Sequence, residues 1–219
     1  MSSHHVVKEK QEPALIIANG AECEWDLMGQ ILEWCPFIIV LDGAVERVLE
    51  LGIHFDVVLG DFDSFNRLEA LKLERPELEI IHAPDQSKTD LEKAMDFLIA
   101  KEFPAVNILW ATGKRTDHTF NNIISMTKFT SEITWKLIDN YGLIYPAPLK
   151  YKKFFNQGAI ISLFGIPEAL EIKSKNLKYP LNKTDLRLPQ SGSSNEATKD
   201  GIVELSYSSG CLVIMESKD

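Results

Sequence analysis

Short apolar runs rich in β-branched residues alternate with longer segments of helical period along the first two thirds of the chain. The runs Ala14 to Ala18, Phe37 to Leu41, Asp56 to Leu59, Glu79 to His82, Val106 to Trp110 and Ile133 to Ile138 are strand-sized. Between them, Trp25 to Trp34, Ala44 to Leu51, Phe65 to Leu73, Thr89 to Lys101 and His118 to Phe129 repeat apolar residues at the spacing of a helix face. This alternation predicts a mostly parallel sheet with helices on both faces. In the fourth helix Leu91, Ala94, Met95 and Leu98 share the face that should pack on the sheet, with Glu92, Lys93 and Asp96 elsewhere.

Behind Tyr141-Gly142 the pattern changes. Pro146, Pro148, Pro167, Pro180 and Pro189 punctuate the runs Ala159 to Phe164, Leu170 to Lys173, Ile202 to Tyr207 and Leu212 to Met215, which are too short and interrupted for helices. Ser208-Ser209-Gly210 reads as a hairpin loop. The expectation is an α/β domain over residues 1–141 and a small antiparallel β-sandwich domain over residues 142–219.

Composition narrows the function classes. Of 219 residues, 45% are hydrophobic and 25% charged, the balance of a globular chain. No apolar run approaches the ~20 residues of a membrane helix, so no membrane partner is expected. The net charge of -9 argues against nucleic acid, whose backbone demands clustered Lys and Arg. Residues 1–140 hold 13 basic and 24 acidic side chains, a net of -11, and the remainder nets +2. A phosphate site in the acidic part would need divalent cations; the alternative is a solvated acidic surface. Cys23, Cys35 and Cys211 are odd in number and far apart, as in a reduced cytoplasmic protein. Met1 to Lys10 lacks the apolar stretch of a secretory signal, and His4 and His5 are expected on a frayed end.

In an open parallel sheet, ligands bind beyond the carboxyl ends of the strands. The residues there are Asn19-Gly20, Asp42-Gly43, Gly60-Asp61-Phe62-Asp63-Ser64, Pro84-Asp85-Gln86 leading to Thr89-Asp90, and Gly113-Lys114-Arg115-Thr116-Asp117-His118. Each segment taken singly could be a plain turn; the recurrence of acids is the signal. Asp61 and Asp63 lie two apart on what should be extended backbone, which points both carboxylates to one side. At about 6.6 Å their repulsion is roughly 2–3 kcal/mol at an effective dielectric of about 20. A Mg²⁺ ion, which prefers one or two carboxylates plus waters and substrate phosphates, would remove that cost.

Asp90 also has a structural reading, because Ser87-Lys88-Thr89-Asp90 has the form of a capping box. Asp117 could cap the helix that begins at His118. Lys114 and Arg115 are the basic residues of these loops and the candidates to neutralise a polyphosphate. A Walker A loop is excluded by Ile108 and Arg115 at its required Gly and Ser/Thr positions, and no G-x-S-x-G or H-E-x-x-H is present.

In their order and spacing these segments resemble the thiamine pyrophosphokinase family: Asp42-Gly43, Gly60-Asp61-Phe62-Asp63-Ser64, Asp85-Gln86-x-x-Thr89-Asp90, and Gly113-x-Arg115-x-Asp117-His118 with Asn121-Asn122. Ser194-Asn195-Glu196 resembles the Ser-Asn signature of that family's C-terminal domain. The resemblance implies an α/β domain followed by a β-sandwich, and transfer of a diphosphoryl group from ATP to thiamine, giving AMP and thiamine diphosphate. It implies a homodimer with sites between subunits. By the same resemblance Asp61, Asp63 and Asp90 would hold Mg²⁺ and the ATP phosphates, with Asp42 and Gly43 in support. Lys114, Arg115, Asp117 and His118 would form the nucleotide loop, Asp85 and Gln86 would line the substrate side, and Ser194 and Asn195 would meet thiamine from the partner chain.

Two positions depart from the family pattern: Lys114 and Ala44 stand where relatives carry a second glycine. Tyr207 and Phe164 are the candidates for an aromatic that stacks on the thiamine ring. Three alternatives remain at this level: a phosphohydrolase of the haloacid dehalogenase type, a non-catalytic nucleotide or thiamine sensor, and a pyrophosphokinase for another hydroxylated heterocycle.

Overall fold

The computed structural model describes residues 13–34, 36–63, 68–189 and 192–218. Met1 to Lys10, Cys35, Ser64 and the expected helix start at Phe65 lie outside the described residues. The chain forms two compact units that divide between Thr134 and Trp135.

In the first unit, β1 (Ala14–Ile17), β2 (Ile38–Leu41), β3 (Val57–Gly60), β4 (Glu79–His82) and β5 (Ala105–Leu109) form a parallel sheet in the order β4-β3-β2-β1-β5. β1 to β3 are buried on both faces, which is why they read as unbroken apolar runs rather than as alternation. The helices are α1 (Trp25–Leu32), α2 (Val45–Glu50), α3 (Leu68–Glu74), α4 (Asp90–Ala100) and α5 (Thr116–Met126). None is long and apolar enough to cross a membrane.

α4 buries Leu91, Ala94, Met95 and Leu98, as its period predicts, but Glu92 is buried as well, at 6% exposure. It is the acid of a capping box: Thr89 Oγ1 accepts from Glu92 N, and Glu92 Oε2 accepts from Thr89 N. The cap therefore lies two residues beyond the expected Ser87, whose amide and hydroxyl bind Asp85. Although burial opposes it, Lys128 at 2.6 Å and Thr89 hold the Glu92 carboxyl below its ordinary range. The Asp117 cap is also corrected: α5 begins at Thr116 with Arg115 at the cap position, so Asp117 lies in the first turn.

The second unit is antiparallel throughout. β6 (Thr134–Asp139) pairs with β7 (Gly142–Pro146), and β7 with β13 (Ser209–Ser217). The expected boundary at Tyr141-Gly142 falls at the β6–β7 turn, where Asp139 Oδ1 accepts from Tyr141 N and Gly142 N. β9 (Ile160–Lys175) is the axis of the unit, paired along its length with β13, β10 (Asn182–Arg187), β11 (Gly192–Glu196) and β12 (Gly201–Ser206). β8 (Lys150–Phe155) pairs with β12 at the far edge.

Two sequence expectations fail here. Ala159 to Phe164 and Leu170 to Lys173 are halves of one strand, since the chain runs through Gly165 and Pro167 without leaving β9. Gly165 tolerates no side chain there, because a Cβ would meet Leu186 O and Ala169 N. Ser208-Ser209-Gly210 is not a hairpin loop, because β12 and β13 lie on opposite sides of β9.

The core of this unit gathers Tyr145, Tyr151, Phe155, Ile161, Leu163, Ile172, Val203, Leu205, Leu212 and Ile214. At its rim the Tyr145 hydroxyl bonds to Tyr151 Oη at 2.7 Å and donates to Glu216, which also takes Lys153 Nζ at 2.6 Å. Burial pushes both phenols up, Tyr151 to about 12 and Tyr145 further. A raised folded-state value means stability that is present below the unfolded value of about 10 and lost as pH rises above it. Thermal unfolding of the native chain should therefore show a midpoint that falls above about pH 10. Tyr145→Phe should cost about 1–2 kcal/mol at neutral pH, because Tyr151 and Glu216 lose a partner, and should weaken that alkaline decline.

Candidate active site

The carboxyl ends of β2, β3 and β4, adjacent in the sheet, carry the acids. After β2 the chain makes a single tight turn, Asp42–Ala44, that aims the Asp42 side chain at the end of β3. Its Oδ2 accepts from Phe62 N at 2.9 Å and its Oδ1 from Gly43 N. Gly43 itself fits because a Cβ there would collide with the Asn19 amide. Ala44, where the family resemblance led one to expect glycine, has φ -103° and needs none.

Asp61 and Asp63 follow β3, but the backbone between them is not extended. Phe62 stands at φ 60°, in the left-handed region, so the two carboxylates do not project together as a strand would place them. Instead Asp63 N donates to Asp61 Oδ1 at 3.2 Å, and Gln86 Nε2 donates to Asp61 Oδ2 at 3.1 Å. These two donors, that of Asp63 first, hold the Asp61 carboxyl below its ordinary range. Asp42 moves the other way: burial pushes it up, the Phe62 N–H opposes, and the neighbouring Asp90 and Asp61 push it up further. Asp42, Asp61 and Asp90 are thus close enough for their carboxyls to act on one another.

Asp90 opens α4 and accepts from Lys93 at 3.0 Å. Asp85 points elsewhere: both of its oxygens accept from Ser87, which holds the carboxyl down. Asp42, Asp61, Asp90 and Gln86 are thus brought together.

Beyond β5, Lys114 has φ 53°, the conformation glycine favours. Arg115 makes a bidentate pair with Asp117, at 3.1 Å from Nε and 2.5 Å from Nη2. The guanidinium holds Asp117 down to about 2. Both side chains are mostly exposed, as is His118, so the pair can open to an anion at little cost.

In the β unit, Ser194 is exposed and Asn195 is 2% exposed on β11. The Asn195 amide is spent inside the fold: Oδ1 accepts from Tyr179 N at 3.0 Å, and Nδ2 donates to Tyr179 O at 2.7 Å and Ser193 Oγ at 3.0 Å. It clamps the backbone of Tyr179, whose ring is 60% exposed. Tyr207 instead donates its hydroxyl to Ala147 O and packs on the core, while the Phe164 ring lies over Gly192.

Sequence reasoning passed over three of these residues. Lys93 could have been found from its i+3 spacing to Asp90. Arg47 stacks over Trp110 and donates to Gly20 O, Glu22 Oε1 and Asn19 Oδ1, tying the loop after β1 to α2. Tyr179 gave no periodic signal, being outside any strand.

For magnesium the donor set is suitable: hard carboxylate oxygens, with Asp42 pushed up in part by the charges of Asp90 and Asp61. Among the described residues no three His, Cys, Asp or Glu form a complete protein cage.

Comparison with known proteins bears on the whole chain. The family described as thiamin pyrophosphokinase, catalytic domain, matches residues 28–137, and that described as thiamin pyrophosphokinase, vitamin B1 binding domain, matches residues 149–212. The chain is 28% identical over 200 residues to a thiamine pyrophosphokinase of Bacillus subtilis (strain 168), covering 89% of this chain and 92% of that one. It is 25% identical over 209 residues to thiamin pyrophosphokinase 1 of Caenorhabditis elegans, covering 88% and 82%. The crystal structure of thiamine pyrophosphokinase from Bacillus subtilis superposes with a TM-score of 0.78 at 27% identity, covering 95% of this chain and all 100% of the other. With its catalytic and vitamin B1 binding domains matched in order, the chain belongs to the thiamin pyrophosphokinase family and is an enzyme of that family.

Proposed function

We propose that the chain transfers the diphosphoryl group of ATP to the hydroxyethyl group of thiamine, giving AMP and thiamine diphosphate, with Mg²⁺ held at Asp61, Asp63 and Asp90. The observation that carries the metal assignment is the Asp42–Asp61 carboxyl pair beside Asp90. Acids gathered this closely repel one another, a cost that a bound cation would remove. A bound magnesium ion would neutralise the charge that develops on the phosphate oxygens.

The chain's own residues supply positioning and charge. Asp42 and Gly43 shape the end of β2, and Gln86 orients Asp61. Lys114 and Arg115 meet the nucleotide's phosphates, the guanidinium leaving Asp117 for them, with His118 on the same turn. The thiamine hydroxyl attacks the β-phosphorus in line as AMP leaves, and its proton passes to a carboxylate of the crevice. Asp85 is a poor acceptor for it, because both of its oxygens are engaged by Ser87; its place is on the substrate side, next to Gln86.

Ser194 offers a hydroxyl to thiamine, and Asn195 acts through the backbone it clamps, presenting the Tyr179 ring to the heterocycle. In this reading the enzyme is a cytoplasmic homodimer, and these groups come from the second copy.

The reading predicts that a chelator of divalent cations abolishes thiamine diphosphate formation and that added Mg²⁺ restores it. Turnover that persists at full rate in chelator would remove the metal from the account.

A further inference from the structure

Lys93 is part-buried where the acids converge. Its side chain is 10% exposed, and Nζ donates to Ala83 O at 2.6 Å and to Asp90 Oδ1 at 3.0 Å. One ammonium thus ties the start of α4 to the segment that leaves β4. Its charge also reaches Asp61 and Asp85, where it is among the influences that favour the ionised carboxylates. Two other basic groups of these loops are paired with other acids: Lys88 with Asp96 at 2.6 Å, and Arg115 with Asp117. An ammonium withdrawn from water in this way is costly unless its charge is answered, and here it is answered by the acids of the crevice.

We infer that Lys93 is a positioning residue for the transfer reaction, a built-in counter-ion that holds Asp90 and the Ala83 carbonyl in place and offsets the crevice acids while no divalent cation is bound. The inference rests on the reading of Asp61, Asp63 and Asp90 as the metal-binding acids. The cation and Lys93 compete electrostatically for the same carboxylates, so removing the lysine should strengthen metal binding to the nucleotide-free chain while harming turnover. A lysine that merely supported the fold would weaken both.

The test compares the native chain with Lys93→Met and Lys93→Arg. Mn²⁺ binding without nucleotide is followed by the loss of the free-ion resonance signal, alongside kcat, KM for ATP and the thermal midpoint. Loss of a unit charge in contact with Asp90 should tighten Mn²⁺ binding by about tenfold or more. The release of Asp90 and Ala83 should lower kcat by about tenfold or more. Lys93→Arg keeps the charge and should bind Mn²⁺ as the native chain does. Should the Met variant fail to fold, Lys93→Gln, which can still donate to Ala83 O, is measured in its place. Unchanged or weaker Mn²⁺ binding in the neutral variant overturns the inference, as does an Arg variant that binds as tightly as the neutral one. A native chain that takes up no Mn²⁺ contradicts the metal assignment itself and the inference with it. Native binding that the neutral variant merely reproduces contradicts the inference alone.

Discussion

Asp61→Asn should lower thiamine diphosphate formation by about a hundredfold or more, because it removes a charge on which the phosphates and their counter-ion are to be organised. The fold should survive. Asn keeps an oxygen for the Asp63 amide and has the same shape as Asp, and position 61 lies at the rim of the crevice rather than in the core. Asp63→Asn should behave in the same direction. The measurement is the steady-state rate of AMP release with thiamine present, paired with a thermal midpoint. Near-native turnover in a folded Asp61→Asn chain would remove Asp61 from the site.

Gly60→Ala should damage both stability and activity through one contact. Gly60 ends β3, and a Cβ added there would land on Cγ and Oδ2 of Asp42, closer than any real contact. The carboxylate would have to swing away from Phe62 N, which it now accepts at 2.9 Å, and from its partner Asp61. Overpacking of this kind costs about 1–3 kcal/mol, and the unmade hydrogen bond of the Phe62 amide adds about 1 kcal/mol or more. Denaturant unfolding would read the loss, with turnover falling at least about tenfold as Asp42 is displaced. The diagnostic control is the double variant Gly60→Ala, Asp42→Ala. With the carboxylate gone the new methyl has room, so the two costs should be far from additive. Strict additivity would show that the methyl acts elsewhere.

The first unit was legible because β1 to β3 are buried on both faces and α4 buries one apolar face. Each expected strand from Ala14 to Ile138 is present with ends displaced by a residue or two. The crevice acids were legible for a related reason, since each follows a strand. What escaped was local backbone. Phe62 in the left-handed region undoes the strand geometry assumed for Asp61 and Asp63, and the capping box lies at Thr89 and Glu92 rather than at Ser87 and Asp90.

The β unit was harder. Asn182–Arg187 buries little but Leu186, and Gly192–Glu196 buries only the polar Asn195, so neither strand carries an apolar alternation. Gly165 and Pro167 look like breaks, yet the chain passes through both within β9. Lys93 was passed over for the opposite reason, despite its i+3 spacing to Asp90. On an amphipathic helix a lysine off the apolar face reads as solvated, and only the position of Asp90 and Ala83 O shows that it is not.

The most direct measurement of the central claim is product analysis of the chain incubated with ATP, thiamine and Mg²⁺, each component omitted in turn. The account predicts AMP and thiamine diphosphate in equal amounts, and neither product when thiamine or the metal is left out. Inorganic phosphate released without AMP, or AMP formed without thiamine diphosphate, would contradict it.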